Sequence, residues 1–196
     1  MKLLTKSIAV GVILTIMFSL VSFNARCGRL SDDIFRLHIL ANSDSEADQE
    51  LKLKVRDKVL EYTKTIYRKC KTKDDTIKIT KENLNNILAV ANSEILKQGY
   101  DYTVDAEITN MYFNVREYGS YTVPAGYYDA LRLKIGKGEG HNWWCVMYPS
   151  FCIGESASLE DSNLSESEKN LVSDGEKYKV KFKIFELYEQ FTDWIS

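Results

Sequence analysis

The sequence holds little proline, 2 residues in 196, and only 10 glycines. That excludes collagen-like and proline-rich linker architectures. Histidine is equally scarce, with His38 and His141 the only two. A zinc site would therefore lean on four scattered cysteines, Cys27, Cys70, Cys145 and Cys152, and no two of them stand in a C-x-x-C pair. Positive charge is not in excess either: 26 Lys plus Arg face 28 Asp plus Glu, a net charge of -2. Binding to nucleic acid driven by counterion release needs a basic surface, so this balance argues against it. There is no internal repeat, and after the first segment no apolar run is long enough to span a bilayer. What is present is ordinary globular composition, 44% hydrophobic and 28% charged, with 12 Tyr, 8 Phe and 3 Trp.

The first segment departs from those averages. Lys2 and Lys6 precede an uncharged run from Ser7 to Ala25 that is rich in Ile, Val, Leu, Met and Phe. A basic start followed by an apolar stretch reads as an export signal or a signal anchor. No polar face recurs in it at helical spacing, which argues against a buried amphipathic helix. Cleavage after Ala25 would put Phe23 where a small residue is wanted, and Arg26 precedes Cys27 where a lipoprotein signal needs a small residue. Release and anchoring thus both stay open. Residues 1–26 carry three bases and no acid, so residues 27–196 are left with 23 bases against 28 acids, or -5. The exported part is mildly acidic.

An exported domain lives where disulfides persist. Cys145 and Cys152 bracket a short loop containing Pro149 and form the expected pair, although four cysteines allow three connectivities.

The chain after residue 26 reads as an α+β domain: a small antiparallel sheet with two or three amphipathic helices packed on one face. Ile34 to Ala41 alternates as a strand. Ser43 with Glu46, or Ser45 with Asp48, then offers a capping arrangement for a helix whose stripe is Leu51, Val55, Val59, Tyr62 and Ile66. Lys69 to Asp75 reads as a charged connection, and Thr80 as the start of a second helix carrying Leu84, Ile87, Leu88, Ala91 and Ile95 up to Gly99. Strands follow over Tyr102 to Val115, Ala130 to Ile135 and Trp143 to Met147, with turns at Gly119-Ser120 and Gly136 to Gly140. Residues 154–167 are rich in Ser, Asp and Glu and read as a mobile loop. Val180, Ile184, Tyr188, Phe191 and Ile195 recur at helical steps and predict a C-terminal helix, although Val180 to Ile184 also alternates.

Chemical constellations are few. Gly136, Gly138 and Gly140 imitate a phosphate loop but lack the following helix and Lys-Ser/Thr. His38, Asp44, His141 and Cys145 are the residues an exported hydrolase, for example one acting on cell wall, would use if the fold gathered them. The Trp143-Trp144 pair sends one indole to each face of a strand, one toward the core and one as an anchor for a partner.

Two blocks carry a family resemblance. The first is Arg36-Leu37-His38-Ile39-Leu40-Ala41-Asn42-Ser43-Asp44-Ser45, with Asp48-Gln49 and Leu51 to Asp57 after it. The second is Pro124-Ala125-Gly126, Ala130-Leu131-Arg132, Ile135-Gly136, Gly138, Gly140 and Asn142-Trp143-Trp144-Cys145-Val146, with Cys152 beyond. Together they resemble the stage II sporulation protein R family. The sequence departs from that pattern at Val123, Tyr127 and Ser150, where an aromatic, an acid and a second proline are usual.

The resemblance implies a protein exported from the forespore into the space between forespore and mother-cell membranes. There such proteins trigger a membrane-embedded aspartic protease of the mother-cell side, which processes the sigma E precursor. It implies a signalling role in endospore formation rather than an enzyme, with no catalytic residue, metal or cofactor to assign. The residues expected to meet the partner are Arg36, His38, Asn42, Ser43, Asp44, Asp48, Asn142, Trp143 and Trp144.

Overall fold

The computed structural model describes residues 2–119, 121–149 and 163–195. It is α+β throughout, and its chain divides into two compact units.

The larger unit spans Asp33–Met111 and Tyr127–Leu164. Its frame is a four-stranded sheet of β1 (Phe35–Leu40), β2 (Val104–Phe113), β5 (Gly126–Ile135) and β6 (Asn142–Tyr148), in the order β2-β5-β1-β6. β1 pairs antiparallel with β6 but parallel with β5, so the sheet is mixed rather than wholly antiparallel. Glu107 with Arg132 and Asn110 with Asp129 mark β2 and β5 as running in opposite directions. The parallel pair exists because β1 does not turn straight into its neighbour. Three helices and then β2, which runs antiparallel to both, lie between β1 and β5, so the two parallel strands are joined by a long connection rather than a hairpin.

Those helices are α2 (Glu46–Ile66), α3 (Lys73–Glu82) and α4 (Leu84–Lys97). α2 starts at Ser45, whose hydroxyl accepts from the Asp48 backbone N–H at 3.2 Å. Its Leu51, Val55 and Val59 are buried against Phe35, Leu37 and Ile39 of β1 and against Ile87, Ala91 and Ile95 of α4. Burying each such side chain is worth about 1.5–3 kcal/mol.

Helix α3 corrects the expected charged connection, since Lys73 to Asp75 form its first turn behind the N-cap Thr72. Thr80 likewise does not open α4. It is buried inside α3, where it meets the Tyr67 hydroxyl at 2.6 Å, and Asn83 alone separates the two helices.

The smaller unit holds Met1–Asp32, Tyr112–Gly126 and Ser165–Ser196. α1 (Lys2–Asp33) is a single helix that runs unbroken past residue 26. Among the described residues one helix, over Lys6–Asp33, is long and apolar enough to cross a membrane, by length and composition. β3 (Arg116–Tyr118) and β4 (Tyr121–Val123) form a hairpin, and β4 packs on α5 (Glu166–Ser173) and α6 (Gly175–Ile195). α5 opens on a capping box, Ser165 with Glu168, so the end of the expected 154–167 loop is helical. The rest of that loop, to residue 162, lies outside the described residues. α6 is the expected C-terminal helix, and its Phe182 is buried against Phe23 of α1, ring centroids 5.4 Å apart.

Candidate functional site

Because β1 lies between β5 and β6, the end of β1 and the β5–β6 connection meet at one end of the sheet. Leu40 stands opposite Lys134 of β5 on one side and Asn142 of β6 on the other. The segment Ala41 to Asp44 is thereby set beside the segment Gly136 to His141, and main-chain bonds join them. Gly140 N donates to Ala41 O at 3.0 Å, and Glu139 N to Asn42 O at 3.2 Å. The glycines follow from this closeness. A Cβ at Gly140 would overlap the Ser43 carbonyl, and one at Gly136, where φ is +55°, would overlap the Asn42 side chain. Gly136 and Gly140 thus serve the close approach of this loop to the segment from Ala41 to Ser43.

Asn42 is the hinge between the blocks. Its Oδ1 accepts from Lys137 N at 3.0 Å, and its Nδ2 donates to Asp48 Oδ2 at 2.8 Å. Ser43 Oγ donates to the same carboxylate oxygen at 2.5 Å. Asp48 is buried, and burial alone would push its carboxyl up; the bonds from Ser43, Asn42 and Tyr102 outweigh that and hold it below its ordinary range. Lys52, also buried, donates to Gln49 Oε1 at 2.6 Å and to the His141 carbonyl at 2.8 Å, while Gln49 Nε2 holds Ser43 O at 2.9 Å. Burial pushes the Lys52 ammonium down, with the nearby Asp44 charge opposing. Outermost lies Asp44, whose Oδ1 accepts from both the backbone N–H and Nδ1 of His141. The side-chain bond from His141 is the main cause holding the Asp44 carboxyl low. Asp44 and His141 are both exposed.

The sheet face opposite the helices carries a second group. His38 is buried and stacks on Trp144, centroids 4.1 Å apart and planes 2° from parallel, while its Nε2 meets Asn142 Oδ1 at 2.8 Å. Since that oxygen accepts, the ring proton sits on Nε2. Burial, aided by the Arg132 charge and opposed by the Asn142 bond, pushes the His38 pKa down, so the ring is neutral at neutral pH. Arg36 is fully buried, its guanidinium 4.9 Å from the Tyr128 ring centroid.

The expected partner residues thus sort by depth. Arg36, His38 and Asp48 are buried; Asn42, Ser43, Trp143 and Trp144 are partly buried; Asp44 and Asn142 are exposed. Trp143 packs on the helix-side core with the Arg56 guanidinium 4.9 Å from its ring, and Trp144 takes the other face.

The hydrolase constellation is not assembled. Cys145 is disulfide-bonded and buried in the helix-side core opposite Leu37, whereas His38 faces the other side; only Asp44 and His141 meet. Cys152, its expected partner, lies outside the described residues. Among the described residues no group of three His, Cys, Asp or Glu is placed to hold a metal ion. The positioning roles of Gln49, Lys52 and Tyr102 escaped the sequence reading. The i, i+3 spacing of Gln49 and Lys52 was the available signal for two of them.

These features define a class: a small α+β domain set behind a helix fit for export or anchoring, with two distant sequence blocks tied into one loop cluster. A family model described as stage II sporulation protein R matches residues 31–158, which takes in both blocks. The chain belongs to that family, and so to the proteins of sporulation. A curated relative, Stage II sporulation protein R of Bacillus subtilis (strain 168), is 34% identical over 124 residues, 63% of this chain and 55% of the relative. The match thus spans about half of that relative's length. No solved structure matches.

Proposed function

We propose that this protein is an intercompartmental signal of endospore formation, exported from the forespore and acting as the ligand that switches on a membrane-embedded aspartic protease of the mother-cell side. The protease, once active, processes the sigma E precursor. In this reading the protein performs no catalysis and takes no cofactor. The observation that carries it is family membership, through a match that contains both blocks. The geometry supports it in one respect: Asn42, Asp48 and Lys52 build a hydrogen-bonded platform, and Asp44, His141 and Asn142 are exposed to solvent while Trp144 is half-buried. A surface with an aromatic anchor and a polar rim suits protein recognition.

Deletion of the gene tests the role: sigma E precursor is expected to accumulate unprocessed, and normal processing would refute the proposal. Replacing Asp44 and His141 by Ala tests the surface. Processing is expected to fall while the folded domain still accumulates, and crosslinkers placed near Asn42 and Trp144 are expected to capture the protease.

A further inference from the structure

Among the described residues of α6, from Gly175 to Leu187, one face packs inside its unit. Phe182 and Tyr178 turn to Phe23 of α1, and Gly175 backs onto Thr122 of β4. On the opposite side Val180, Ile184 and Leu187 are 72%, 44% and 55% exposed. Their spacing of four and three places them in one stripe along the helix. Lys183 borders that stripe on one side, and Lys177 and Lys181 border it on the other. From Lys177 to Leu187 there are four lysines and one acid, Glu186, which pairs with Lys183 at 2.9 Å. Lys181 donates to Ser19 of α1 at 3.0 Å. The neighbouring Met17, Phe18 and Val21 belong to the exposed apolar surface of the helix fit to cross a membrane.

We propose that the exposed face of α6 is a second membrane contact, laid on the anionic headgroups of the bilayer that α1 enters. An apolar stripe flanked on both sides by lysines suits that boundary: the apolar side chains enter the acyl edge, Lys177 and the exposed Lys183, which exchanges its Glu186 partner for a phosphate, reach the headgroups, and Lys181 stays on Ser19 of α1. The contact with α1 at Ser19 and Phe23 holds the stripe where α1's exposed apolar surface begins. A helix from another protein would fit a stripe with this spacing, but it would not require lysine on both flanks.

The test uses the full chain inserted through α1 into vesicles of phosphatidylcholine alone or mixed with phosphatidylglycerol. Amide hydrogen exchange over Lys177–Leu187 is the readout. Exchange is expected to be at least about fivefold slower in the mixed vesicles, the effect of roughly one lysine at an anionic surface. The Lys177→Gln/Lys183→Gln variant is expected to lose that protection, as is Val180→Asp/Ile184→Asp. Unchanged exchange of the β3–β4 hairpin certifies that the unit is folded; should the aspartate variant fail that check, the lysine variant decides. Equal exchange in the two lipids, or protection that arises only when a second protein is added, would overturn the proposal.

Discussion

Removing the Asp48 carboxylate is expected to loosen both blocks at once. Asp48→Ala leaves the donors on Asn42, Ser43 and Tyr102 without their shared acceptor. Hydrogen bonds to a charged group each contribute about 1.5–3 kcal/mol net. They are not additive here, because Asn42 and Ser43 are half-exposed and their donors can turn to water. A loss of about 3–4 kcal/mol follows. At about 2–4 °C per kcal/mol for a chain of this length, the melting temperature falls by roughly 10 °C.

The assay is thermal unfolding of the full chain in mild detergent, followed by circular dichroism at neutral pH. Acid adds a check of sign. The Asp48 carboxyl is held low in the folded state, so its contribution is complete above the ordinary carboxylate pKa of about 4 and is lost as pH falls through the folded value. The gap between parent and variant is therefore expected to narrow below about pH 4. A variant that melts within about 2 °C of the parent at pH 7 would refute the role given to this network.

Other outcomes follow from the same geometry. Gly140→Ala, which drives a Cβ into the Ser43 carbonyl, is expected to cost about 1–3 kcal/mol, whereas Gly28→Ala in α1 meets open space and is neutral to slightly stabilising; thermal melts compare them. His38, held neutral by burial, makes the fold lose stability as pH drops below about 6.5, because the unfolded chain takes up the proton first. His38→Gln is expected to flatten that part of a stability-against-pH curve. In alkylation mapped by mass spectrometry, Cys145 is expected to react only after reduction. Cys70, whose thiol burial pushes up, is expected to react slowly without it.

Much of the fold was legible because it is written in local periodicity. The stripe of α2 and the alternation of β1 repeat within one element and recur close to their expected limits; the stripe of α4 recurs in a helix that opens at Leu84 rather than Thr80, and the uncharged run of the first segment lies inside α1, which continues to Asp33. α3 was not legible for a physical reason. Its buried face uses Thr76 and Thr80, which satisfy their hydroxyls on Thr72 O and Thr76 O, so the apolar pattern that marks a helix is missing.

The sequence by itself determined the apolar N-terminal helix, most of the other helical and strand segments, and the two blocks that mark the family. Only the tertiary structure decided what those blocks do to each other. Asn42 and Lys137 are 95 residues apart, and nothing local brings them within hydrogen-bonding distance. That needs β1 to sit between β5 and β6, parallel to one and antiparallel to the other, so that three strand ends meet at one end of the sheet. Strand order is a non-local outcome of burying the helix-side core, and the depth of each candidate residue follows from it. Asp48 and Lys52 read as surface charges on a helix. The fold buries both and leaves Asp44 and His141 outside.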